Sequence, residues 1–176
     1  MRFVYGKQEM RSLSHSQESC FLLTNGLGGY ASLTAAYSAN RCDQGVLIAA
    51  QKAPGERVTL VHRLRETLTV DGKPYWLSTQ QFADGTTPED GFRNLSFFTF
   101  ENIPHWRYHI GGVRVTRTMA MTYGQNTTAV IYKVENQSNA ACSLTVDPFV
   151  KFGPKETAIK AAPSISFSQG KVMGDK

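Results

Sequence analysis

The stretch "ERVTLVHRLRETLTVDGKPYWLST" (residues 56–79) predicts the fold of this chain. Its first part alternates apolar and polar residues, which is typical of a half-buried β-strand. Asp71-Gly72 then supplies a hairpin turn, because a type I′ turn needs positive φ at both central positions. We expect one face of the strand to carry Val58, Leu60, His62 and Leu64, with Leu68 and Val70 following before the turn.

Segments on both sides of this hairpin also read as strands. Gly111-Gly112 is the expected turn of a second hairpin, and "ENQSNA" (135–140) is a polar turn between the last two long segments. β-Branched and aromatic residues are enriched and long helical windows are few, so we predict an all-β sandwich over residues 1–176, as a single domain. The strand segments are "GVLIAAQ" (45–51), "LSFFTFENI" (95–103), "HWRYHIGGVRVTRTMAMTY" (105–123), "NTTAVIYKVENQ" (126–137) and "ACSLTVDPFVKF" (141–152).

Two segments do not fit this pattern. "STQQFADGTTPEDGFRNLS" (78–96) is long and polar, which predicts a surface loop with a functional or packing role. "KETAIKAAPSISFSQGKVMGDK" (155–176) begins a strand-turn pattern for which we expect no partner strand. The second segment indicates that the chain is a fragment of a longer polypeptide.

Composition excludes several classes of protein. With 176 residues and 41% hydrophobic content, the chain can bury one sizeable core. The formal net charge is +5, but Lys and Arg never form a run of four, so we expect a solvated basic surface and no nucleic-acid partner. No apolar window approaches the length of a membrane span and no signal peptide is evident, which predicts a cytoplasmic protein without a membrane partner. Cys20, Cys42 and Cys142 form no C-x-x-C pair and are expected to be free thiols.

The glycine-rich stretch "LLTNGLGGYAS" (22–32) does not fit a nucleotide-binding loop. Its spacing is G-x-G-G, whereas dinucleotide loops have G-x-G-x-x-G and P-loops end in G-K-[ST]. Asn-Gly and Gly-Gly are strong turn formers. Gly26, Gly28 and Gly29 therefore predict a tight turn between two short β segments.

Titratable residues give no catalytic or metal-binding pattern. The carboxylates that are less peripheral fall mostly in turns or polar loops, and no G-x-S-x-G elbow is present. His105 and His109 would lie on one face of a strand but roughly 13 Å apart. We therefore expect no catalytic residue, no metal and no cofactor in this chain. The carboxylates and histidines considered are Glu66, Asp71, Asp84, Glu89, Asp90, Glu101, Asp147, His15 and His62.

Aromatic residues are concentrated in the middle third of the chain. Phe97, Phe98 and Phe100 are expected in the sandwich core. Trp76 and Trp106 stand at strand ends beside proline-bearing turns, where an indole either joins the core or stacks on a sugar ring.

Longer strings carry a family resemblance. "FLLTNGLGGYAS" (21–32) and the string from Trp106 to Thr128 are the most specific, within a likeness that runs from about Glu18 to Val134. They resemble the N-terminal domain of bacterial and archaeal glycogen debranching enzymes of the amylo-α-1,6-glucosidase type. The resemblance implies a large twisted antiparallel β-sandwich, of the supersandwich kind that precedes (α/α)6 barrels. In such enzymes the barrel carries an inverting acid and base. The chain lacks that barrel, so the resemblance implies a non-catalytic domain.

The resemblance also implies partners and an edge of contact. The implied partners are the C-terminal catalytic barrel of the same polypeptide and an α-glucan. One departure from the family pattern is Cys42-Asp43-Gln44, where an aromatic-histidine pair is usual. The expected glucan-facing or barrel-facing residues are Asn25, Gly26, Gly28, Gly29, Tyr30, Arg41, Gln44 and Trp106.

Two other hypotheses remain open from the sequence. The chain is a stand-alone carbohydrate-binding module in the first. In the second it is a structural domain whose exposed edge strands and apolar face make it dimerise.

Overall fold

A computed structural model describes residues 2–52, 55–155 and 157, and the backbone of residues 165–168 and 171–174. The all-β prediction is confirmed. Helical structure is confined to α1 (Leu13–Glu18) and two 3₁₀ turns, Glu9–Arg11 and Gly91–Arg93, within the described residues. The strands are β1 (Phe3–Gly6), β2 (Leu23–Thr24), β3 (Tyr30–Ser32), β4 (Gly45–Lys52), β5 (Glu56–Val70), β6 (Lys73–Trp76), β7 (Thr79–Gln80), β8 (Glu89–Asp90), β9 (Leu95–Phe100), β10 (Pro104–Ile110), β11 (Val113–Met121), β12 (Thr128–Asn136), β13 (Cys142–Pro154), β14 (Ile165–Ser168) and β15 (Lys171–Gly174).

Two antiparallel sheets form the body of the fold. Sheet I has the strand order β1-β9-β10-β11-β12, and sheet II has the order β13-β5-β4-β3-β2. The long strand β5 pairs with β13 along one edge, and its other edge is shared by β4 and then β6. The short pair β7 and β8 forms a separate ladder.

Both predicted hairpins are confirmed. Asp71 and Gly72 have φ of 49° and 76° between β5 and β6, as a type I′ turn requires. Gly111-Gly112 connects β10 to β11 in the same way. The turn after β12 has a different role, because β12 ends sheet I and β13 begins sheet II, so this segment carries the chain from one sheet to the other.

Two sequence-based expectations about strands are wrong. Val58, Leu60, His62 and Leu64 do not form one continuous core face, because the pairing of β5 with β13 shifts at His62, and Val61 and Leu64 both pack against the core. The strand that begins near residue 165 does have a partner, since β14 pairs with β15. The rest of the segment at 158–176 lies outside the described residues.

The core lies between the sheets and is built from alternate residues of each strand. Trp106 and Tyr108 of β10 and Val113, Val115 and Met119 of β11 face it from sheet I, each at most 1% exposed. Leu68, Val70, Ala31 and Leu23 face it from sheet II. Burial of these apolar side chains is the main stabilising contribution, at about 25 cal/mol per Å² removed from water. Phe98 belongs to the core as predicted, with Phe100 packed against it. Phe97 does not, because it alternates with Phe98 along β9 and lies half-buried on the other face.

The segment predicted as a polar surface loop (78–96) is partly a core element. Ser78, Thr79, Glu89 and Phe92 are buried. The Glu89 carboxylate accepts hydrogen bonds from the Arg63 guanidinium (2.8 Å) and the Ser78 hydroxyl (2.7 Å). The tip from Gln81 to Thr86 is exposed as expected, as are Pro88 and Arg93.

Cys20, Cys42 and Cys142 are free thiols in the structure, as predicted. Among the described residues, no helix is long and apolar enough to cross a membrane.

Candidate functional site

The glycine stretch is a tight turn between β2 and β3, as the sequence predicts. Asn25 is buried at its start, and the Oδ1 atom of Asn25 accepts hydrogen bonds from the backbone N–H groups of Leu27 (2.9 Å) and Gly29 (3.0 Å). One amide side chain therefore holds the loop in a closed shape.

A second loop, residues 122–127 between β11 and β12, is fastened to the first. The Nδ2 group of Asn25 donates to the Gln125 carbonyl and to Asn126 Oδ1, both at 2.9 Å. The Gly124 N–H donates to the Asn25 carbonyl at 2.7 Å. Asn126 also bonds the backbone of Ala50 on β4 through both ends of its amide. Residues 24–30 and 122–127 thus form one rigid unit, which we call the double-loop end.

Two glycines of the double-loop end occupy positions that a side chain would not fit. Gly26 has φ of 78°, and a Cβ atom there would lie 2.6 Å from Cε2 of Tyr123. A Cβ atom at Gly29 would lie 2.6 Å from Asn25 Nδ2 and 2.7 Å from Asn126 Oδ1. Gly26 therefore lets an aromatic ring lie on the loop, and Gly29 lets the two asparagines meet.

The aromatic ring on Gly26 is the most exposed large apolar side chain of the described residues. Tyr123 is 86% exposed. Tyr30, also in the double-loop end, is half-buried, and its hydroxyl donates to the Asp43 carbonyl at 2.7 Å. Arg57 lies beside Tyr30, since its Nε donates to the Gly28 carbonyl (2.7 Å) and its guanidinium lies 5.7 Å from the Tyr30 ring centroid. The double-loop end therefore carries one exposed aromatic ring and a half-buried ring next to a cation.

The other predicted site residues divide between edge and core. Arg41 is exposed, while Gln44 is buried and its Oε1 accepts from the backbone N–H groups of Asn40 (2.9 Å) and Arg41 (3.3 Å). Gln44 thus closes the 40–44 loop, which the Tyr30 hydroxyl ties to the glycine turn. Cys42 and Asp43, at the departure from the family pattern, are exposed.

The edge position expected for Trp106 is wrong. The residue has no exposed surface, its indole N–H donates to the Ala35 carbonyl at 2.9 Å, and its ring contacts Phe21, Phe98 and Tyr37. The ring alternates with exposed Arg107 along β10 and faces the core. An indole at this position has no face left for a sugar.

A buried ion pair between the sheets was not predicted from the sequence. Arg117 of β11 donates to the Glu66 carboxylate of β5, and neither side chain is exposed. The guanidinium lies 3.2 Å from the Tyr37 ring centroid and donates to the Tyr108 hydroxyl at 2.6 Å. The Tyr132 hydroxyl donates to the other Glu66 oxygen. A sequence can indicate such a pair where a polar residue stands at a core-facing position of a strand whose other core-facing residues are apolar.

This ion pair has no accessible acid or base. Burial raises the pKa of Glu66, and Arg117 and Tyr132 oppose that shift. Burial lowers the pKa of Arg117, but the Glu66 carboxylate and the surrounding tyrosines together raise it by more, so the guanidinium stays charged. Burial, followed by the Glu66 charge, raises the pKa of Tyr132. Glu66 and Arg117 are closed to water and bonded to one another, so they hold the two sheets together and have no access to a substrate.

Residues that Asn25 depends on were also missed. Asn126 and Tyr123 complete the double-loop end, although they are about a hundred positions away in the chain. Within the described part of the chain, no group of three or more His, Cys, Asp or Glu side chains is arranged to hold a metal ion.

Comparison with known proteins gives one match. A family model described as "Glycogen debranching enzyme N terminal" matches residues 20–175, which is most of the chain. Searches of curated proteins and of solved structures found no match.

Proposed function

Because the chain belongs to the glycogen debranching enzyme N-terminal family, we propose that it is a non-catalytic domain that packs on a catalytic barrel and helps to position an α-glucan. The barrel would belong to the same polypeptide. The chain would then contribute one β-sandwich domain and no reacting group.

The state of the buried carboxylates supports a non-catalytic role. An inverting glycosidase needs two carboxyl groups that flank the scissile bond with room for a water. Glu66 and Glu89 are buried, and each is neutralised by an arginine, Arg117 and Arg63 respectively. The less buried Asp147 is paired with Arg65 at 2.9 Å.

The observation that carries the glucan role is the Tyr123 ring on the double-loop end. A pyranose has an apolar face that stacks on an aromatic ring, while its hydroxyls bond to nearby polar groups. One side of the Tyr123 ring is supported by Gly26, and 86% of the residue remains exposed. Asn25 and Asn126 hold the support rigid, which lowers the entropic cost of binding.

Replacing Tyr123 by alanine in the full polypeptide should raise KM for a branched α-glucan about tenfold, the equivalent of one lost aromatic contact. The value of kcat should stay unchanged, because the ring acts on binding and not on the reacting bond. Tyr123→Phe should behave like the wild type. Phe82→Ala removes another exposed aromatic ring outside the double-loop end and serves as the control. An unchanged KM for Tyr123→Ala would refute the glucan role of this surface.

A groove at the β1 edge of sheet I is our candidate for barrel packing. It has a volume of about 490 Å³ and a mostly apolar lining. Phe3 and Leu22 on its rim are 47% and 57% exposed, which is costly for a surface that meets only water. The lining includes Tyr5, Phe21, Phe98 and Phe100.

Replacing Leu22 by aspartate should weaken association between this chain and the separately produced catalytic part, by at least tenfold if Leu22 is a central contact. Leu27→Asp places the same charge at an exposed leucine of the double-loop end and serves as the control. Sedimentation velocity would measure both. Self-association of the chain through the same groove would instead support the dimerisation hypothesis. Tight maltooligosaccharide binding by the chain alone would support the stand-alone module.

A further inference from the structure

The outer face of sheet I brings together basic side chains that are scattered in the sequence. His105 and Arg107 point outward on β10, because the residues between and beyond them are buried. Cross-strand pairing places Thr99 of β9 beside His105, and Thr116 of β11 beside Arg107. The basic residues were expected to be spread over the surface. Some of them instead form one local cluster on this rigid sheet.

These residues line a groove with two adjoining parts that share Arg2, Thr99 and His105. The first part has a volume of about 250 Å³ and is lined by Arg2, Phe97, Thr99, His105, Arg107 and Thr116. The second part has a volume of about 370 Å³ and is lined by Arg2, Thr99, Glu101, Asn102, Ile103 and His105. The two parts therefore differ in the chemistry of their linings.

The first part of the groove offers several hydrogen-bond donors that suit an anion with several oxygens. Within the described residues, neither Arg2 nor Arg107 lies within ion-pair distance of a carboxylate, so their guanidinium groups can donate to a ligand, although the Arg107 charge also acts on Glu135. His105 Nδ1 lies 2.9 Å from the Thr118 hydroxyl, which orients the ring and leaves Nε2 available. Burial, followed by the Arg107 charge, lowers the pKa of His105, so at neutral pH the imidazole contributes a neutral donor and the positive charge comes from the arginines. Arginine, imidazole and threonine hydroxyl donors together match a phosphate.

The second part of the groove offers hydrogen-bond partners that suit hydroxyl groups. Glu101 offers carboxylate acceptors and Asn102 offers both a donor and an acceptor. The Glu101 charge disfavours a second anionic group at this end. The two ends together therefore select a molecule with one phosphate and a neutral, hydroxyl-rich body.

We propose that this groove binds a sugar phosphate, with the phosphate at Arg2, His105 and Arg107 and the sugar hydroxyls at Glu101 and Asn102. The site is separate from the double-loop end and goes beyond the proposed glucan role. Arg2 also precedes the region matched by the family model, which begins at residue 20. The site thus depends on a residue outside the matched family region.

Calorimetric titration of the chain with glucose 6-phosphate tests the proposal. We expect binding in the millimolar range or tighter, with glucose at least tenfold weaker because it lacks the charged group. Arg107→Gln and His105→Gln should each weaken glucose 6-phosphate binding about tenfold, as expected for loss of one charged hydrogen bond. Lys73→Gln, at an exposed cation of the β5–β6 hairpin, should bind like the wild type.

Three outcomes would overturn the proposal. Equal binding of inorganic phosphate and glucose 6-phosphate would remove the role of Glu101 and Asn102. Binding of glucuronate as tight as that of glucose 6-phosphate would assign the site to carboxylates. Absence of glucose 6-phosphate binding by a folded wild-type chain, or an equal loss in Lys73→Gln, would show that the groove is not a specific site. Circular dichroism of each variant excludes unfolding as the cause of a loss.

Discussion

Replacing Arg117 by methionine should lower the free energy of unfolding by about 3–5 kcal/mol, because Glu66 would remain buried without its counter-charge. Methionine keeps much of the side-chain length, so loss of packing contributes little. Part of the loss should disappear at acid pH. Burial already holds the pKa of Glu66 above its usual range, and without Arg117 the pKa rises further. The folded state then binds a proton more strongly than the unfolded state. The difference in free energy of unfolding between the variant and the wild type therefore becomes smaller as pH falls through the folded pKa of Glu66.

Urea unfolding at neutral and mildly acid pH measures this effect. Arg114→Met is a matched control on the same strand, since Arg114 pairs with Glu135 at 3.8 Å with both side chains more than a third exposed. A surface pair of this kind contributes about 0–1 kcal/mol. The double variant Arg117→Met, Glu66→Leu should recover most of the stability, because no buried charge remains. A loss below about 1 kcal/mol for Arg117→Met alone would contradict a buried, charged Glu66.

Replacing Trp106 by alanine should also cost about 3–5 kcal/mol, as for other large-to-small changes in a core. The indole fills the space between the sheets, where it contacts Phe21, Tyr37 and Phe98. Trp106→Phe should cost less, since it keeps an aromatic ring but leaves the Ala35 carbonyl without its donor. Thermal or urea unfolding followed by circular dichroism is suited to these variants, because they remove one of the two tryptophans.

Trp76→Ala is the control for Trp106→Ala, because Trp76 is only half-buried on the short strand β6. Trp76→Ala should lower the free energy of unfolding by clearly less than Trp106→Ala. A Trp106→Ala protein that keeps wild-type stability but loses affinity for α-glucan would restore the edge position that the sequence analysis expected.

The local part of the fold was predictable from sequence. The alternation in residues 56–70 and the Asp71-Gly72 turn act between neighbours in the chain, so β5 and β6 were read correctly. The residues of β5 that face the core were not read correctly, because the shift in pairing at His62 depends on β13, almost ninety residues away. The polar composition of segment 78–96 predicted a surface loop for the same reason. The ion pair that allows Glu89 to be buried comes from Arg63, on a different strand.

The candidate site shows the same division. The glycine turn and the importance of Asn25 were evident from turn chemistry and from the family resemblance. Tyr123, which lies on Gly26, and Asn126, which binds Asn25, were not evident, since they come from a loop about a hundred residues later. Trp106 was misplaced because periodicity identifies alternate faces of a strand, and it does not say which face another sheet will cover.

The sequence by itself determined an all-β chain, its two hairpins, its glycine turn and its family, because strand propensity, turn chemistry and motif spacing are local properties. Only the tertiary structure decided which side chains meet across the two sheets. It paired Arg117 with Glu66, enclosed Trp106, joined the two asparagine loops, and gathered Arg2, His105 and Arg107 on one face. These contacts depend on register and on the packing of distant strands, where a shift of one residue reverses every side chain.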